Sequence, residues 1–150
     1  MPDQQPESAK VGVSVLVTKG DTILLEKRAH VHGARTWGPP SGHINFGEAP
    51  EHTAARETQE ETGVSIKNIT FLCVTNDVFT EAQKHYITLW FEAEFASGEL
   101  KVQSPEEESD ARWFHRDALP QPLFLPLQHL LEGKTYQAKR EGEETAHDHD

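Results

Sequence analysis

Acidic residues with fixed spacing form the part of the sequence with the clearest potential for chemistry. At 3.6 residues per helical turn, Glu57, Glu60 and Glu61 would fall within an arc of roughly 100° on one helix face. Like charges this close repel one another, and a cation would relieve the repulsion. Carboxylate oxygens suit a hard divalent ion, Mg²⁺ or Mn²⁺, which usually completes its coordination shell with water and substrate phosphates. The spacing therefore predicts a metal site that acts on a phosphorylated substrate.

The residues around these carboxylates predict the helix that would hold them. Pro50 suits a first helical position, Glu51 lies in the first turn where helix dipoles favour negative charge, and Gly63 supplies a C-terminal stop. We predict a helix from Ala49 to Thr62. The alternative interpretation is a solvated acidic helix face that binds no metal.

The whole stretch resembles the signature of the Nudix hydrolases, G-x5-E-x7-R-E-U-x-E-E-x-G-U, where U is a bulky aliphatic residue. The match begins at Gly42, and Thr58 stands at the first U position, a departure that removes no charged group. The resemblance implies that Glu57, Glu60 and Glu61 are metal ligands and that the backbone carbonyl of Gly42 also binds the metal. A glycine at that position lets the backbone approach closely.

The resemblance also implies catalytic roles for Glu57, Glu60 and Arg56. Glu60 would be a further metal ligand or the base that takes a proton from the attacking water, and a loop residue is the alternative base. Arg56 would orient a neighbouring carboxylate. Glu48 would pair with Arg56 or bind the metal weakly.

Substrate contacts are expected from residues outside the helix, because loops beside a rigid site usually carry selectivity. The loop at 29–37 contains four residues that could contact a base or a phosphate, with surface or packing roles as the alternative: His30, His32, Arg35 and Trp37. The full set of substrate-binding candidates is Arg35, Trp37, His43, Tyr86 and Glu106. Glu106 matches a family acid that can assist the metal site, and a solvated loop acid is the alternative.

Hydrophobic periodicity predicts a mixed α/β fold. The predicted strands are 11–18, 22–27, 66–79, 85–95 and 111–115, the last preceded by an acidic run at 104–110. Strand 85–95 is partly apolar on both sides, which predicts an interior strand between layers of helices. Prolines up to Pro126 are expected to delay a second helix until 127–132. With the family resemblance, the fold class is predicted to be α/β, a Nudix-type α/β/α sandwich around a mixed β-sheet.

Length, charge and cysteine content limit the possible domain organisation, partners and location of the protein. The 150 residues predict one domain at 1–134, frayed over 1–9, followed by an acidic disordered tail at 135–150. A net charge of −11 argues against polymeric DNA or RNA as a partner. No long apolar run is present, so we expect no membrane partner and a cytoplasmic location. The single Cys73 is expected to be a core residue rather than a nucleophile.

Further segments narrow the resemblance to the MutT-like nucleoside triphosphate diphosphatases, a branch that includes a human thiopurine-nucleotide hydrolase and plant cytosolic proteins. These segments are V-T-N-D-V-F at 74–79, H-Y-I-T at 85–88, S-P-E at 104–106 and P-L-F-L-P-L at 122–127. They imply Mg²⁺-dependent hydrolysis of a nucleoside triphosphate, including oxidised or modified ones, to a monophosphate and pyrophosphate, by a homodimer. The alternatives are an ADP-ribose, dinucleotide or prenyl diphosphate pyrophosphatase, and a non-catalytic nucleotide sensor.

Overall fold

The computed structural model describes residues 8–138, which fold around one mixed β-sheet. The described strands are β1 (Lys10–Lys19), β2 (Thr22–Arg28), β3 (Trp37–Gly38), β4 (Ser41–Gly42), β5 (Ser65–Phe79), β6 (Lys84–Ser97) and β7 (Glu108–His115). The helices are α1 (Pro50–Thr62) and α2 (Leu125–Leu131). The sheet order is β3-β2-β1-β6-β5, while β4 pairs with β1 and β7 pairs with β2. Only β1 and β6 are parallel among the paired strands described.

A helix covers each face of the sheet, which confirms the predicted α/β/α sandwich. On the first face, Ala54 of α1 joins a buried cluster made by Val13, Val15, Val17, Leu24, Val64, Phe91 and Ala93. On the second face, Leu127 of α2 joins a cluster made by Ile23, Leu25, Trp37, Cys73 and Trp90. Cys73 is 4% exposed, so its predicted place in the core is confirmed. The two buried faces account for the apolar character of both sides of the central strands.

Strand β6 lies between β1 and β5, as expected for an interior strand. Its side chains alternate as predicted, with Phe91 in the cluster under α1 and Trp90 in the cluster under α2. The same period of two places Leu24 of β2 on the α1 side. Glu26, two residues further, therefore points to the side of the sheet that α1 covers.

The ends of α1 follow from local sequence. Ala49 is extended (φ −75°, ψ 145°) and precedes the helix, and Pro50 is the first helical residue, one position later than predicted. Gly63 takes the left-handed conformation (φ 77°) and its N–H donates to the Gln59 carbonyl at 2.9 Å. A glycine suits this ending because it lacks the side chain that opposes positive φ.

Two predicted boundaries were wrong. Helix α2 begins at Leu125, before Pro126, because a proline in a first helical turn loses no intrahelical hydrogen bond. Strand β7 begins at Glu108, inside the acidic run, because residues 108–115 pair with β2 through a register shift at Lys27/Arg28.

Pairing with the sheet extends into the region predicted to be a tail. Tyr136 exchanges two backbone hydrogen bonds with Val74, at 2.9 and 2.8 Å, although the tail was predicted to begin at 135. Residues 1–7 and 139–150, which hold most of the predicted frayed terminus and tail, lie outside the described residues. Within 8–138, neither helix has the length and apolar character required to cross a lipid bilayer.

Candidate active site

Helix α1 presents its carboxylates to a cavity of about 320 Å³. Glu57, Glu60 and Glu61 line it from the helix, and their environments differ: the Glu60 side chain is 56% exposed, Glu57 18%, and Glu61 is a buried residue. Gly42 lies so close to Glu57 that an added Cβ would overlap the Glu57 carboxyl group. A side chain at position 42 would therefore displace the Glu57 carboxyl group from its place beside the β4 backbone.

Arg56 organises the solvent side of this carboxylate group. Its guanidinium donates to both carboxylate oxygens of Glu48, from Nε at 2.7 Å and from Nη2 at 2.9 Å. Nη1 donates to Glu57 at 3.1 Å and to Glu60 at 3.2 Å, and Nη2 also donates to the His43 carbonyl at 3.0 Å. The hydrogen bonds from Arg56 hold the pKa of the Glu48 carboxyl well below its usual range, and they raise the pKa of Arg56. Glu48 thus pairs with Arg56, the first of its two predicted roles.

Glu61 faces inward, away from Arg56, toward two carboxyl groups of the sheet. These are Glu26 of β2 and Glu108 of β7, and one oxygen from each of the three side chains lies within 4.8 Å of the others. All three residues are buried: Glu26 is 5% exposed, Glu61 is 5% exposed and Glu108 is 3% exposed. Burial, the largest cause, raises the pKa of Glu26 to about 7 and that of Glu108 to about 9, and it raises the pKa of Glu61 well above its usual value.

Two oxygens in this inner group, Glu26 Oε2 and Glu108 Oε1, are buried and have no hydrogen-bond partner within the described residues. Unpaired buried carboxylate oxygens are unusual, and a bound ion is one of the arrangements that satisfies them. Six glutamates line the cavity, Glu26, Glu57, Glu60, Glu61, Glu107 and Glu108. Carboxylate oxygens are among the ligands that Mg²⁺ and Mn²⁺ prefer. The residues present therefore fit a hard divalent cation.

Glu26 and Glu108 were missed by the sequence analysis. The sequence did contain a sign that Glu26 is buried. In the strand T-I-L-L-E-K-R this charged residue shares a face with the buried Leu24. Glu108 stood in an acidic run that resembled a solvated loop. Their proximity to Glu61 depends on the pairing of β2 with β7, which no local pattern reveals.

A smaller, aromatic pocket of about 70 Å³ adjoins the carboxylate cavity. Its lining includes His32, Phe79, Tyr86 and Phe124, and the His32 ring stacks on Tyr86 with centroids 5.2 Å apart. Burial, followed by the nearby charge of Arg28, lowers the pKa of His32 to about 4. The ring is therefore neutral at physiological pH. The two cavities share the lining residues Arg28, His32, Ser41 and His43.

Arg28 connects the two cavities. Its guanidinium carbon lies 4.0 Å from the centroid of the Phe124 ring, and its Nε donates to the His32 carbonyl at 2.9 Å. In the part of the chain that the structure describes, Arg28 forms no ion pair within 4.0 Å. Its remaining N–H groups are therefore open to an anionic group that enters either cavity.

The structure brings together some of the predicted substrate-binding residues and separates others. His43 lines both cavities and Tyr86 lines the aromatic pocket, with His43 Nε2 3.4 Å from the Tyr86 hydroxyl.

The other predicted substrate-binding residues lie away from the cavities. Trp37 lies in the core at 8% exposure, against Phe114. Arg35, at φ 70°, is exposed and lines neither cavity. Glu106 is also exposed and lies outside both linings, although its neighbours Glu107 and Glu108 line the carboxylate cavity.

Curated relatives match most of this chain. A NudC protein of Pseudomonas aeruginosa, named NAD-capped RNA hydrolase, is 38% identical over 134 residues, which is 85% of this chain and 44% of that protein. The protein of the same name from Stutzerimonas stutzeri is 41% identical over 106 residues, 71% of this chain and 36% of that protein. The chain thus spans less than half the length of these relatives.

Solved structures show the same fold. A MutT Nudix hydrolase from Burkholderia pseudomallei superposes with a TM-score of 0.78 at 32% identity, over 84% of this chain and 98% of that one. The Nudix domain of Shewanella oneidensis NrtR, solved with ADP-ribose, gives a TM-score of 0.69 at 24% identity, over 85% and 87% of the two chains. The family profile described as NUDIX domain matches residues 8–133. Together with the helix carboxylates and the glycine beside them, this match shows that the chain belongs to the Nudix hydrolase family, whose members act on diphosphate bonds.

Proposed function

We propose that this Nudix hydrolase cleaves a nucleoside triphosphate to a nucleoside monophosphate and pyrophosphate. The observation that carries the proposal is the contact between the carboxylate cavity and the aromatic pocket, which share four lining residues. A planar base stacks favourably on aromatic rings such as Tyr86 and Phe124. The phosphates attached to that base would then extend past Arg28 toward α1. One molecule with a base at one end and phosphates at the other matches the chemistry of the two neighbouring cavities.

The metal-binding residues in this proposal are Glu57, Glu60 and Glu61, with the backbone carbonyl of Gly42. A bound Mg²⁺ or Mn²⁺ neutralises phosphate oxygens and lowers the pKa of a coordinated water. The protein's contribution is placement, because Arg56 restrains Glu57 and Glu60 and the β4 backbone lies against Glu57. Such restraint converts carboxylates on flexible side chains into a pre-positioned ligand set.

Proton removal from the attacking water requires a carboxylate at the cavity, within hydrogen-bond reach of that water. Glu60 meets this condition, and it is restrained at 3.2 Å by Arg56. Glu107, an exposed residue of the loop before β7 that lines the same cavity, is the loop alternative. General-base catalysis of this kind typically contributes about 10²–10⁴-fold to the rate.

The phosphate chain also needs cationic partners from the protein. Arg28 lines both cavities and its guanidinium can donate to phosphate oxygens while it stacks on Phe124. His32, held neutral, can contact a base through its ring without adding charge. His32 was among the loop residues expected to contact a base or a phosphate, and Arg28 is an addition to the predicted residues. Both line the same cavities as His43, one of the predicted substrate-binding residues.

A second candidate is hydrolysis of a dinucleotide such as NAD or of ADP-ribose. The names of the NudC relatives favour it, since those proteins are named NAD-capped RNA hydrolases. That name is in partial conflict with the expectation of no nucleic-acid partner, which rests on the net charge of −11. The same two cavities would then bind one nucleotide half in the aromatic pocket and the diphosphate against the carboxylates.

Product analysis distinguishes these candidates. The protein is incubated with Mg²⁺ and a panel of nucleoside triphosphates, 8-oxo-dGTP, NAD, ADP-ribose and prenyl diphosphates, and the products are separated by ion-exchange chromatography. Monophosphate and pyrophosphate from a triphosphate, at the highest kcat/KM of the panel, support the proposal. AMP with nicotinamide mononucleotide from NAD, or AMP with ribose 5-phosphate from ADP-ribose, as the fastest reaction would replace it with the second candidate.

Two further outcomes would contradict both candidates. A prenyl diphosphate as the fastest substrate would assign the aromatic pocket to an apolar chain. An absence of turnover with nucleotide binding retained would assign the protein to nucleotide sensing. The Glu61→Gln variant is the negative control, because activity that survives in it comes from a contaminant or from a different site.

A further inference from the structure

The aromatic pocket is partly filled by a side chain from its own wall. Its open space is about 70 Å³, whereas ligand cavities in proteins usually enclose about 300–1,000 Å³. The His32 ring stacks on Tyr86, with an interplanar angle of 11° and ring centroids 5.2 Å apart. It also meets the Phe79 ring edge-on at 4.7 Å and lies 6.0 Å from the Phe124 ring, again between centroids. A planar base would use the same stacking surface, so the imidazole occupies the place of a base.

The His32 ring resembles a bound base in charge as well as in shape. Burial is the main reason that its pKa is lowered to about 4, so the ring is neutral at physiological pH. His30, two residues earlier in the same loop, is exposed and lines neither cavity. The loop thus offers a matched pair of histidines, one inside the pocket and one outside it.

The loop at 29–36, which carries His32, is held in this position by contacts with the pocket. Gly33 has a φ of 75°, and a Cβ added to it would lie 2.9 Å from the Phe124 ring, so the loop backbone packs directly on that ring. Arg35 has a φ of 70°, which is disfavoured for a residue with a side chain. Such a conformation persists where surrounding contacts enforce it. A ligand that replaces those contacts would therefore release the loop.

Arg28 connects the position of this loop to the phosphate side of the site. Its Nε donates to the His32 carbonyl at 2.9 Å, and its guanidinium lies on the Phe124 ring. While Nε donates to the loop, it is not available to a phosphate. A guanidinium binds phosphate most strongly when two of its N–H groups donate together. Movement of His32 out of the pocket would therefore free a donor for the phosphate chain.

We propose that His32 is a gating residue: its ring fills the base site in the ligand-free protein and must leave before the base of a nucleotide can stack on Tyr86. Its departure also frees Nε of Arg28 for a phosphate, so that occupation of one cavity favours occupation of the other. His32 thereby disfavours ligands that have no planar group to take its place. The inference rests on the proposed function, which supplies a base as the ligand of this pocket.

The test measures binding of adenosine, a base and ribose without phosphates, by isothermal titration calorimetry. The wild type is compared with His32→Ala and with the control His30→Ala. A ligand that binds only the open form has its affinity reduced by the fraction of molecules that are open. Minor conformers are typically populated to about 0.1–10%, so His32→Ala should bind adenosine at least about tenfold more tightly than the wild type. His30→Ala should bind adenosine as the wild type does.

Nuclear magnetic resonance of the wild type supplies a second readout, which does not depend on the folding of a variant. Nuclear Overhauser contacts between the His32 and Tyr86 rings should be present in the ligand-free protein and should disappear at saturation with AMP. The Nε–H signal of Arg28 should shift in the same titration, because its acceptor changes from the His32 carbonyl to a phosphate oxygen.

Three results would overturn the proposal. Equal or weaker adenosine binding by His32→Ala would show that the ring is a bystander or a stacking partner of the base. An absence of adenosine binding in that variant would show that the vacated place accepts no planar ring. Contacts between the His32 and Tyr86 rings that survive in the AMP complex would show that the base binds elsewhere. Since neither measurement involves hydrolysis, a failure of the triphosphate assay leaves both unaffected.

Discussion

Adjacent residues of one helix turn experience opposite environments. Glu60 is largely exposed and hydrogen-bonded to Arg56, while Glu61 is buried and faces Glu26 and Glu108. Their positions differ by about 100° around the helix, which is enough to direct one side chain to solvent and the other to the sheet. Substitution of Glu60 is therefore expected to have a different physical consequence from substitution of Glu61.

The substitution Glu61→Gln should lower kcat by more than about 100-fold, because even residues that only support metal ligands typically cost 10–100-fold. The fold should persist, since glutamine has the same shape and relieves the repulsion among buried carboxylates. Steady-state kinetics and thermal unfolding measure the two effects, with Glu92→Gln as the matched control. An unaltered kcat would remove Glu61 from the site.

Arg56 should not be replaceable by lysine. A lysine keeps the positive charge but cannot reproduce a fork that reaches Glu48, Glu57 and Glu60 together. We expect Arg56→Lys to reduce kcat by about 10–100-fold, with a smaller change in melting temperature. Equal kcat values for the variant and the wild type would show that charge alone is sufficient and that the positions of the carboxylates are set by other contacts.

His32 should titrate well below an ordinary histidine, since burial and the charge of Arg28 lower its pKa to about 4. In the unfolded chain its pKa returns to about 6.5. Between these values the unfolded chain binds more protons, so the free energy of unfolding should fall as pH decreases from about 6.5 to about 4. NMR titration of the imidazole gives the pKa, with His32→Gln assigning the signal. A midpoint near 6.5 would refute the expected burial of this ring.

At the scale of elements, the sequence predicted what local patterns control. Helix α1 was predicted to within one residue because Pro50 and Gly63 mark its ends, and the family signature located its carboxylates. The inner group was not predicted, since the approach of Glu26 to Glu108 results from pairing between β2 and β7, which are far apart in the sequence. Trp37 was proposed for substrate binding because it ends the loop at 29–37 that was expected to lie beside the site. Its burial depends on where β3 docks.

Helix α2 is attached to the sheet through a buried polar network. Asp77 of β5 is fully buried, accepts hydrogen bonds from Thr75 and Thr88 at 2.8 and 2.7 Å, and lies 2.8 Å from Nδ1 of His129. Asp77→Ala would leave these partners unsatisfied, so we expect a loss of about 2–4 kcal/mol in the free energy of unfolding. Urea denaturation measures it.

The control for this network is Asp110→Ala, which removes one partner of a surface ion pair with Arg112 at 2.8 Å. Surface pairs are typically worth about 0–1 kcal/mol, so this variant should remain near the wild type. Equal destabilisation by the two substitutions would mean that the buried network contributes no more to stability than a surface ion pair does. The network would then not be what attaches α2 to the sheet.

At the scale of the whole molecule, the net charge of −11 opposes the approach of an anionic substrate. Arg28 lines the cavity, whereas Arg56 lies outside its lining and is already hydrogen-bonded to carboxylates. A nucleotide that carries its own divalent cation brings compensating charge with it. Within the proposed function, the acidic character of the protein therefore favours a metal-bound small substrate over a long polyanion.

Divalent cations should stabilise this protein by binding, beyond the screening that any salt provides. Screening of surface repulsion depends on ionic strength, whereas ligand binding to the folded state adds RT ln(1 + [L]/Kd), about 2.7 kcal/mol at a hundredfold excess over Kd. At matched ionic strength, MgCl₂ should therefore raise the melting temperature more than NaCl does. The double variant Glu57→Gln/Glu61→Gln should respond equally to the two salts, because it retains the surface charges but lacks the central ligands. Equal responses in the wild type would mean that the carboxylates around α1 bind no cation without substrate, and that metal arrives only as a complex with the nucleotide.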